Sequence, residues 1–151
     1  MELISLNCHS DGRPLPLSPD TKELSLKAQA RAVDVSHDGS LCAVGFRSGQ
    51  VRVFKTVNWE LARKVDEHQE WIEDLKFSPD GKFLAVSCHD NSVYVYGTTK
   101  FDLQCTLGGS TSFISHIDWS VDSGFLRTND GSYELLHYTI AAGKLSPTPS
   151  I

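Results

Sequence analysis

Three residue types that bind metals stand in a row at Cys88, His89 and Asp90. Thiolate, imidazole and carboxylate groups are the usual protein ligands of zinc. The residues before them predict a β-strand, in which successive side chains point to opposite faces of the sheet. Three consecutive residues therefore cannot close one tetrahedral site. Cys8 beside His9 is an equally weak signal, so the sequence predicts neither a metal site nor a cofactor.

Signatures of catalysis are equally weak. Serine, histidine and aspartate are all present, but the chain has no G-x-S-x-G nucleophile elbow. The glycine pair of TLGGST, residues 106–111, is not followed by the Gly-Lys-Ser/Thr of a phosphate-binding loop. Asp34, Asp74 and Asp118 each stand near the end of a predicted strand, at similar places in successive segments of the chain, and could form a carboxylate site. Such aspartates more often bond backbone N–H groups in turns, and we expect a protein that is not an enzyme.

Composition indicates a globular chain of about one domain. The 151 residues are 40% hydrophobic and 22% charged, with a net charge of −5. Lys and Arg never occur in runs longer than two, which argues against nucleic-acid and membrane partners. The first residues resemble no signal peptide, and none of the four cysteines forms a C-x-x-C pair. These features predict reduced thiols and a cytoplasmic location.

A repeat of 42 residues organises the sequence. The turn SPDG, residues 78–81, is preceded 42 residues earlier by SHDG and followed 42 residues later by SVDS. Apolar positions keep the same spacing, in four sets: Val33, Leu75 and Ile117; Val35, Phe77 and Trp119; Val51, Val93 and Leu135; Phe54, Tyr96 and Tyr138. This period lies within the ~40–45 residues of WD-type propeller repeats.

The composition of each repeat favours strands over helices. VRVF and VYVY are β-branched and aromatic, and KFLAVSC is apolar at nearly every position, as in a strand buried on both faces. Asp, Asn, Gly and Pro fill the segments between them, as tight turns require. The sequence therefore predicts an all-β fold, part of a WD-type β-propeller built from four-stranded antiparallel blades.

The repeat boundaries predict an open part of a ring. Residues 1–30 would end a preceding blade, and the repeats would occupy 31–71, 72–113 and 114–140, with a tail at 141–151. The third repeat shows no clear fourth strand. Since propellers have ~4–8 blades, we expect the remaining blades to belong to a longer parent chain. We also expect apolar blade faces at both ends, and therefore poor stability as an isolated monomer.

Residues 68–96, HQEWIEDLKFSPDGKFLAVSCHDNSVYVY, resemble a WD repeat. In that family a histidine, an aspartate, a strand serine or threonine and a tryptophan form a buried hydrogen-bonded network. The resemblance places His68 and Asp90 at the first two positions, Cys88 at the third and Tyr96 at the fourth. It implies a partial structural network in which His68 and Asp90 approach each other.

Residues 115–138, SHIDWSVDSGFLRTNDGSYELLHY, resemble the echinoderm microtubule-associated protein-like family. That family often carries a hydrophobic-Asp-Trp/Phe-Ser strand followed by an Asn-x-Gly-x-Tyr-Glu stretch. CHDNSVYVY, residues 88–96, is similar to the family's His-Asp-Asn turn. The resemblance implies a binding module with protein partners, tubulin or microtubules among them, and a cytoskeletal location.

Tryptophans are the candidate contact residues for a partner. Trp119 lies on a predicted inner strand and is assigned to the core, whereas Trp59 in a turn and Trp71 at a strand start are candidate binding aromatics. Two alternatives to microtubule binding remain. One is a general WD-repeat scaffold or substrate-receptor adaptor, and the other is a propeller hydrolase with a convergent triad or metal set.

Overall fold

The computed structural model describes residues 26–141 and 143–145, which contain twelve strands in three antiparallel sheets. Blade 1 consists of β1 (Ala30–Val35), β2 (Leu41–Phe46), β3 (Val51–Lys55) and β4 (Leu61–Val65). Blade 2 consists of β5 (Ile72–Phe77), β6 (Phe83–Cys88), β7 (Val93–Gly97) and β8 (Leu103–Leu107). Blade 3 consists of β9 (Ile114–Trp119), β10 (Phe125–Asp130), β11 (Leu135–Thr139) and β12 (Lys144–Leu145). The predicted all-β class, an open set of propeller blades, is confirmed.

Strand positions follow the sequence repeat. Each strand of blade 2 is displaced by 42 residues from its counterpart in blade 1, and β9, β10 and β11 continue the series. The third repeat does possess a fourth strand, because Lys144–Leu145 pairs with β11. This two-residue strand lies in the segment 141–151 that the sequence assigned to a tail, so that assignment is corrected. Residues 1–25, most of the segment that is expected to end a preceding blade, lie outside the described residues.

The turns between the first two strands of the blades share one geometry. In each turn a serine hydroxyl donates to an aspartate Oδ1 at 2.6 Å and accepts a backbone N–H at 2.9 Å. These serines are Ser36, Ser78 and Ser120, and they hold equivalent positions in the three blades. The repeated hydrogen bonds explain why the turn sequence follows the repeat so closely.

Blades pack face to face through small and branched side chains. Ala43 and Val53 of blade 1 are fully buried in a core shared with Leu75, Leu84 and other residues of blade 2. Ala85, Val93 and Val95 of blade 2 repeat this arrangement against Ile117, Leu126 and Tyr138 of blade 3. The inner strands β1, β5 and β9 adjoin one another in series, as in a propeller.

The two end sheets differ from each other. On blade 1, Val33 and Val35 are 48% and 49% exposed, as expected for a blade face without a described neighbour. On blade 3 the outer face is the opposite side of the sheet, and it carries Arg127, Asn129 and His137 at its centre. The expectation of apolar faces at both ends is therefore corrected for blade 3.

Candidate functional site

His68 links blade 2 to blade 1 through two hydrogen bonds. Its Nδ1 lies 2.9 Å from the carbonyl oxygen of Gly49, and its Nε2 lies 2.9 Å from the hydroxyl of Tyr96. A carbonyl can only accept, so Nδ1 carries the proton and Nε2 accepts from Tyr96. Burial lowers the pKa of His68 and raises the pKa of Tyr96. The imidazole is thus held neutral between a β-strand and a turn of the preceding blade.

The other two expected network members bond elsewhere. The carboxylate of Asp90 accepts from the hydroxyl of Tyr94 at 2.6 Å, and this bond is the main cause that raises the pKa of Tyr94 to about 12. The rings of Tyr94 and His68 lie edge to face at a centroid distance of 4.6 Å. His68 and Asp90 are therefore connected through Tyr94 rather than by a direct hydrogen bond. The thiol of Cys88 is buried and donates to the carbonyl of Glu70 at 3.4 Å.

Blade 3 replaces this network with a different one. Ser110 stands where blade 2 has His68, and its hydroxyl bonds the carboxylate of Asp130. That bond is the main cause that lowers the pKa of Asp130. The hydroxyls of Thr128 and Tyr138 are buried and have no hydrogen-bond partner among the described residues. Asp130, at the position equivalent to Cys88, was not anticipated from the sequence.

A row of stacked side chains crosses the three blades at one end of the sheets. The guanidinium carbon of Arg47 lies 4.1 Å from the ring centroid of Trp71. His89 lies 5.2 Å from Trp71 on one side and stacks on Phe113 at 4.7 Å and 8° on the other. We call Arg47, Trp71, His89 and Phe113 the aromatic ladder.

The repeat itself builds the aromatic ladder. Arg47 and His89 are equivalent residues of two strand-connecting turns, and Trp71 and Phe113 precede equivalent inner strands. The backbone N–H of His89 donates to the carbonyl of Trp71 at 2.8 Å, which fixes the two segments side by side. Sequence reasoning selected only Trp71 from this row. The 42-residue spacing could have identified the others.

Charged groups and a cavity border the aromatic ladder. The guanidinium carbon of Arg31 lies 5.3 Å from the ring centroid of Trp71, but Glu73 engages this guanidinium through two bonds of 2.9 Å. Arg47 has no carboxylate partner among the described residues. A cavity of about 390 Å³ opens beside it, lined by Ala28, Gln29, Arg47, Ser48 and Trp71. The arrangement can receive a protein segment through ring contacts and one unpaired guanidinium.

The remaining tryptophans lie elsewhere. Trp59 is half-buried in the β3–β4 turn, where it packs against the cluster that contains Leu26 and Phe54. Connections alternate between the two ends of each antiparallel sheet, so Trp59 and Trp71 lie at opposite ends. Trp119 is buried, and its Nε1 donates to the carbonyl of Lys76 at 3.0 Å, as a core residue would.

The three aspartates do not form a repeated carboxylate site. Asp34 accepts the backbone N–H of Phe77 at 2.8 Å, and Asp74 accepts that of Ile117 at 3.1 Å. Both bonds cross from one blade to the next. Asp118 instead pairs with an arginine on the surface of blade 3. Within the described residues, no group of three or more His, Cys, Asp or Glu side chains could hold a metal ion.

Comparison with known proteins identifies the family. Residues 19–151 match the model of the echinoderm microtubule-associated protein second β-propeller. The chain belongs to this family. No curated protein is similar enough to the chain to count as a match. Among the described residues of this second-propeller chain, no helix is long and apolar enough to cross a membrane.

Solved structures support the same fold. The chain resembles the RRP9 WD40 repeats, with 12% identity, a TM-score of 0.78 and coverage of 82% of this chain and 39% of that one. It resembles U3-55K with the same identity, TM-score and coverage of this chain, and covers 40% of that structure. The second-propeller chain thus spans about two fifths of the length of these WD40 structures.

Proposed function

We propose that this second-propeller segment is a non-catalytic binding module that associates with tubulin or microtubules, and that it acts at the cytoplasmic cytoskeleton. The family match over residues 19–151 is the observation that carries the proposal. Propeller repeats present connecting turns and loops at the ends of their sheets, and a binding role requires no reactive group. The rest of the ring would be supplied by further blades of a longer parent chain.

The aromatic ladder is the surface that we assign to the partner. Tryptophan and arginine are the residue types most enriched at interface hot spots, since they combine a large contact area with directional hydrogen bonding. Trp71 is half-exposed and contacts both Arg31 and Arg47, so little side-chain entropy is lost when a partner covers it. Trp59 at the opposite end is already packed against its own blade.

A general WD-repeat scaffold is the second candidate. The likeness to the RRP9 WD40 repeats supports a fold that many binding proteins share. In that case the aromatic ladder would bind a protein other than tubulin. A propeller hydrolase would require a convergent triad or metal set, and within the described residues no group of three or more His, Cys, Asp or Glu side chains could hold a metal ion.

Co-sedimentation with microtubules, together with binding to free tubulin, tests the proposal. Wild type should bind, and Trp71→Ala and Arg47→Ala should each weaken binding by about tenfold or more, as expected for hot-spot residues. Trp59→Ala is the matched control at the opposite end and should change binding by less than about threefold. Circular dichroism checks that each variant is folded.

Two results would contradict the proposal in different ways. Failure of the folded wild type to bind both microtubules and free tubulin would reject the microtubule assignment and favour the general scaffold. Binding that is weakened by Trp59→Ala and not by Trp71→Ala would keep the partner and reject the aromatic ladder as its site.

A further inference from the structure

The turns between the second and third strands of blades 2 and 3 are each held by a carboxylate. In blade 2, Oδ1 of Asp90 accepts the backbone N–H of Ser92 at 3.1 Å. In blade 3, Oδ1 of Asp130 accepts the equivalent N–H, that of Glu134, at 2.9 Å. A negative charge at this place is therefore part of the turn in both blades.

Blade 1 lacks this carboxylate. Its turn reads FRSGQ, and Ser48 stands where blade 2 has Asp90. Phe46 stands where blade 3 has Asp130. Neither residue is acidic, so the backbone N–H of Gln50 has no aspartate in its own turn.

Two arginines flank the turn of blade 1. The guanidinium of Arg52 donates to Oε1 of Gln50 at 2.9 and 3.1 Å and to the carbonyl of Leu26 at 3.2 Å, and both acceptors are uncharged. Among the described residues, neither Arg47 nor Arg52 forms an ion pair with a carboxylate. The turn that lacks an anion thus carries two cations.

Arg52 stands at the position from which blade 2 reaches the anion of its turn. Its equivalent is Tyr94, whose hydroxyl donates to Oδ2 of Asp90 at 2.6 Å. A long side chain at this position can therefore reach a group on the residue four places earlier, which in blade 1 is Ser48. Guanidinium groups bind phosphate oxygens through two parallel hydrogen bonds.

One described carboxylate lies near Arg52, but it is already paired. A hydrogen bond from Lys64 lowers the pKa of Asp66, and the charge of Arg52 adds a smaller effect in the same direction. The Nζ of Lys64 lies 2.8 Å from Oδ2 of Asp66. These two side chains balance each other, and the arginines leave an excess of positive charge at the turn.

Ser48 is exposed, and its exposure does not depend on further blades. Asp90 at the equivalent position is also exposed, although blade 2 has a neighbouring blade on each side. Exposure at this position therefore follows from its place in a turn at one end of the sheet. A modifying enzyme can reach the hydroxyl.

We propose that Ser48 is a phosphorylation site, and that its phosphate supplies to blade 1 the anion that aspartates supply to blades 2 and 3. A protein kinase transfers the γ-phosphoryl group of ATP. The bond between Oγ of Ser48 and phosphorus forms, the bond from that phosphorus to the bridging oxygen of the β-phosphate breaks, and ADP leaves. The hydroxyl proton passes to a base of the kinase. The phosphate carries about −1.5 to −2 charges, accepts the N–H of Gln50 and pairs with Arg47 and Arg52.

The modification also changes the charge beside the aromatic ladder. Arg47 and Ser48 both line the cavity next to Trp71. A phosphate of nearly two negative charges outweighs one guanidinium, so this border becomes anionic and disfavours an anionic partner segment. This consequence rests on the proposed function, whereas the modification itself does not.

Incubation of the 151-residue chain with ATP and a cell extract that contains active kinases tests whether Ser48 accepts phosphate. Mass spectrometry of proteolytic peptides should find phosphate on Ser48. Ser48→Ala should remove this signal, and a sample without ATP provides the background.

Phosphorus NMR of a chain with phosphoserine introduced at position 48 during translation tests the pairing. Folding should lower the second pKa of the phosphate from its ordinary value of about 6. Its proton affinity should fall about tenfold relative to the chain unfolded in urea, as for an anion beside guanidinium groups. Arg47→Ala and Arg52→Ala should each reverse part of this change, and either variant suffices if the other does not fold.

Phosphoserine at position 132 is the matched control. Ser132 is exposed and holds the equivalent position in blade 3, where its backbone N–H already donates to Asp130. Gly131 and Leu136 replace the two arginines there. Because Asp130 and Glu134 border this turn, folding should leave the second pKa of the phosphate unchanged or raise it.

Each of three outcomes would overturn the proposal. Absence of phosphate from Ser48 after treatment with the extract would reject the site. A phosphate pKa at position 48 that folding leaves unchanged or raises would reject the pairing with the arginines. An equal lowering at positions 48 and 132 would assign the effect to the whole chain rather than to this turn. None of these measurements involves tubulin, so they are independent of the microtubule assignment.

Discussion

The hydroxyl of Tyr96 donates to Nε2 of His68 at 2.9 Å, deep in the contact between blades 1 and 2. The other ring nitrogen of His68 donates to Gly49 at 2.9 Å, so one imidazole satisfies two buried groups from different blades. The equivalent tyrosine of blade 3, Tyr138, has no such partner among the described residues. This difference between equivalent residues allows the hydrogen bond to be tested against an internal control.

Replacing each tyrosine by phenylalanine should therefore give opposite results. Tyr96→Phe leaves Nε2 of His68 buried without a donor and should lower the free energy of unfolding by about 1–2 kcal/mol. Tyr138→Phe removes a buried hydroxyl that has no hydrogen-bond partner within residues 26–141 and 143–145, and it should leave stability unchanged or raise it. Urea unfolding followed by circular dichroism measures both. Equal losses in the two variants would mean that Tyr138 has a partner that compensates for its burial.

The stability of the protein should depend on pH through His68. Burial lowers the pKa of His68 in the folded state below its ordinary value of 6.5, so the unfolded chain binds the proton first as pH falls. The contribution of His68 is therefore fully present above about pH 6.5 and is lost as pH falls below that value, by at most about 1.4 kcal/mol per pH unit. Urea midpoints between neutral and mildly acidic pH measure the slope.

His68→Gln provides the control for this pH dependence. The glutamine amide can donate and accept in place of the ring but does not titrate. The variant should be less stable at neutral pH and should lack most of the loss of stability on acidification. A wild-type slope that persists in the variant would assign the effect to another group.

Asp34 and Asp118 are equivalent residues in different surroundings, and their substitution should reveal this. Asp34→Ala removes the acceptor of the Phe77 N–H in the next blade and should cost about 1.5–3 kcal/mol, as for a hydrogen bond to a charged group. Asp118→Ala removes an exposed ion pair with Arg127 and should cost less than about 1 kcal/mol. Thermal and urea unfolding of the two variants compare them. A larger loss at Asp118 would show that its face is buried in solution.

Two glycines with positive φ should respond differently to alanine. Gly49 has φ of 83°, and an added Cβ would lie 2.3 Å from the carbonyl oxygen of His68. Gly39 has φ of 74° but no atom within 4 Å of such a Cβ. Gly39→Ala should cost about 1 kcal/mol for the left-handed backbone alone, whereas Gly49→Ala should cost several times more because backbone must move. Similar costs would contradict the close contact between the blades.

Local features of this fold could be predicted from the sequence. The serine turns depend on hydrogen bonds between residues two and five positions apart, such as Ser78 to Asp80 and Phe83. Strand composition depends on neighbours within one sheet, and the repeat places each strand 42 residues from the next copy. Because these relationships join residues that are close in the sequence or regularly spaced along it, pattern and spacing were sufficient to predict the turns and strands.

The networks were harder to predict because they depend on side chains from different segments. The family pattern placed His68 beside Asp90. In the structure the hydroxyl of Tyr94 donates to the Asp90 carboxylate, and the imidazole ring of His68 contacts the ring of Tyr94. Within one repeat, nothing indicates that His68 also bonds the Gly49 carbonyl of the preceding blade. Which of these hydrogen bonds forms depends on which side chains lie closest together once the blades have packed.

The sequence by itself determined the strands, the turns and the blade repeat of this second-propeller chain, since these follow from local propensity and periodicity. Only the tertiary structure decided which equivalent residues differ in role. Arg47 and His89 stack in one row because adjacent blades bring their turns together. Ala85 is buried and Arg127 is exposed because one face meets a neighbouring sheet and the other has no neighbouring sheet among the described residues. The burial of a repeated position depends on which sheet packs against it. That neighbour comes from a distant part of the chain, so local sequence does not reveal it.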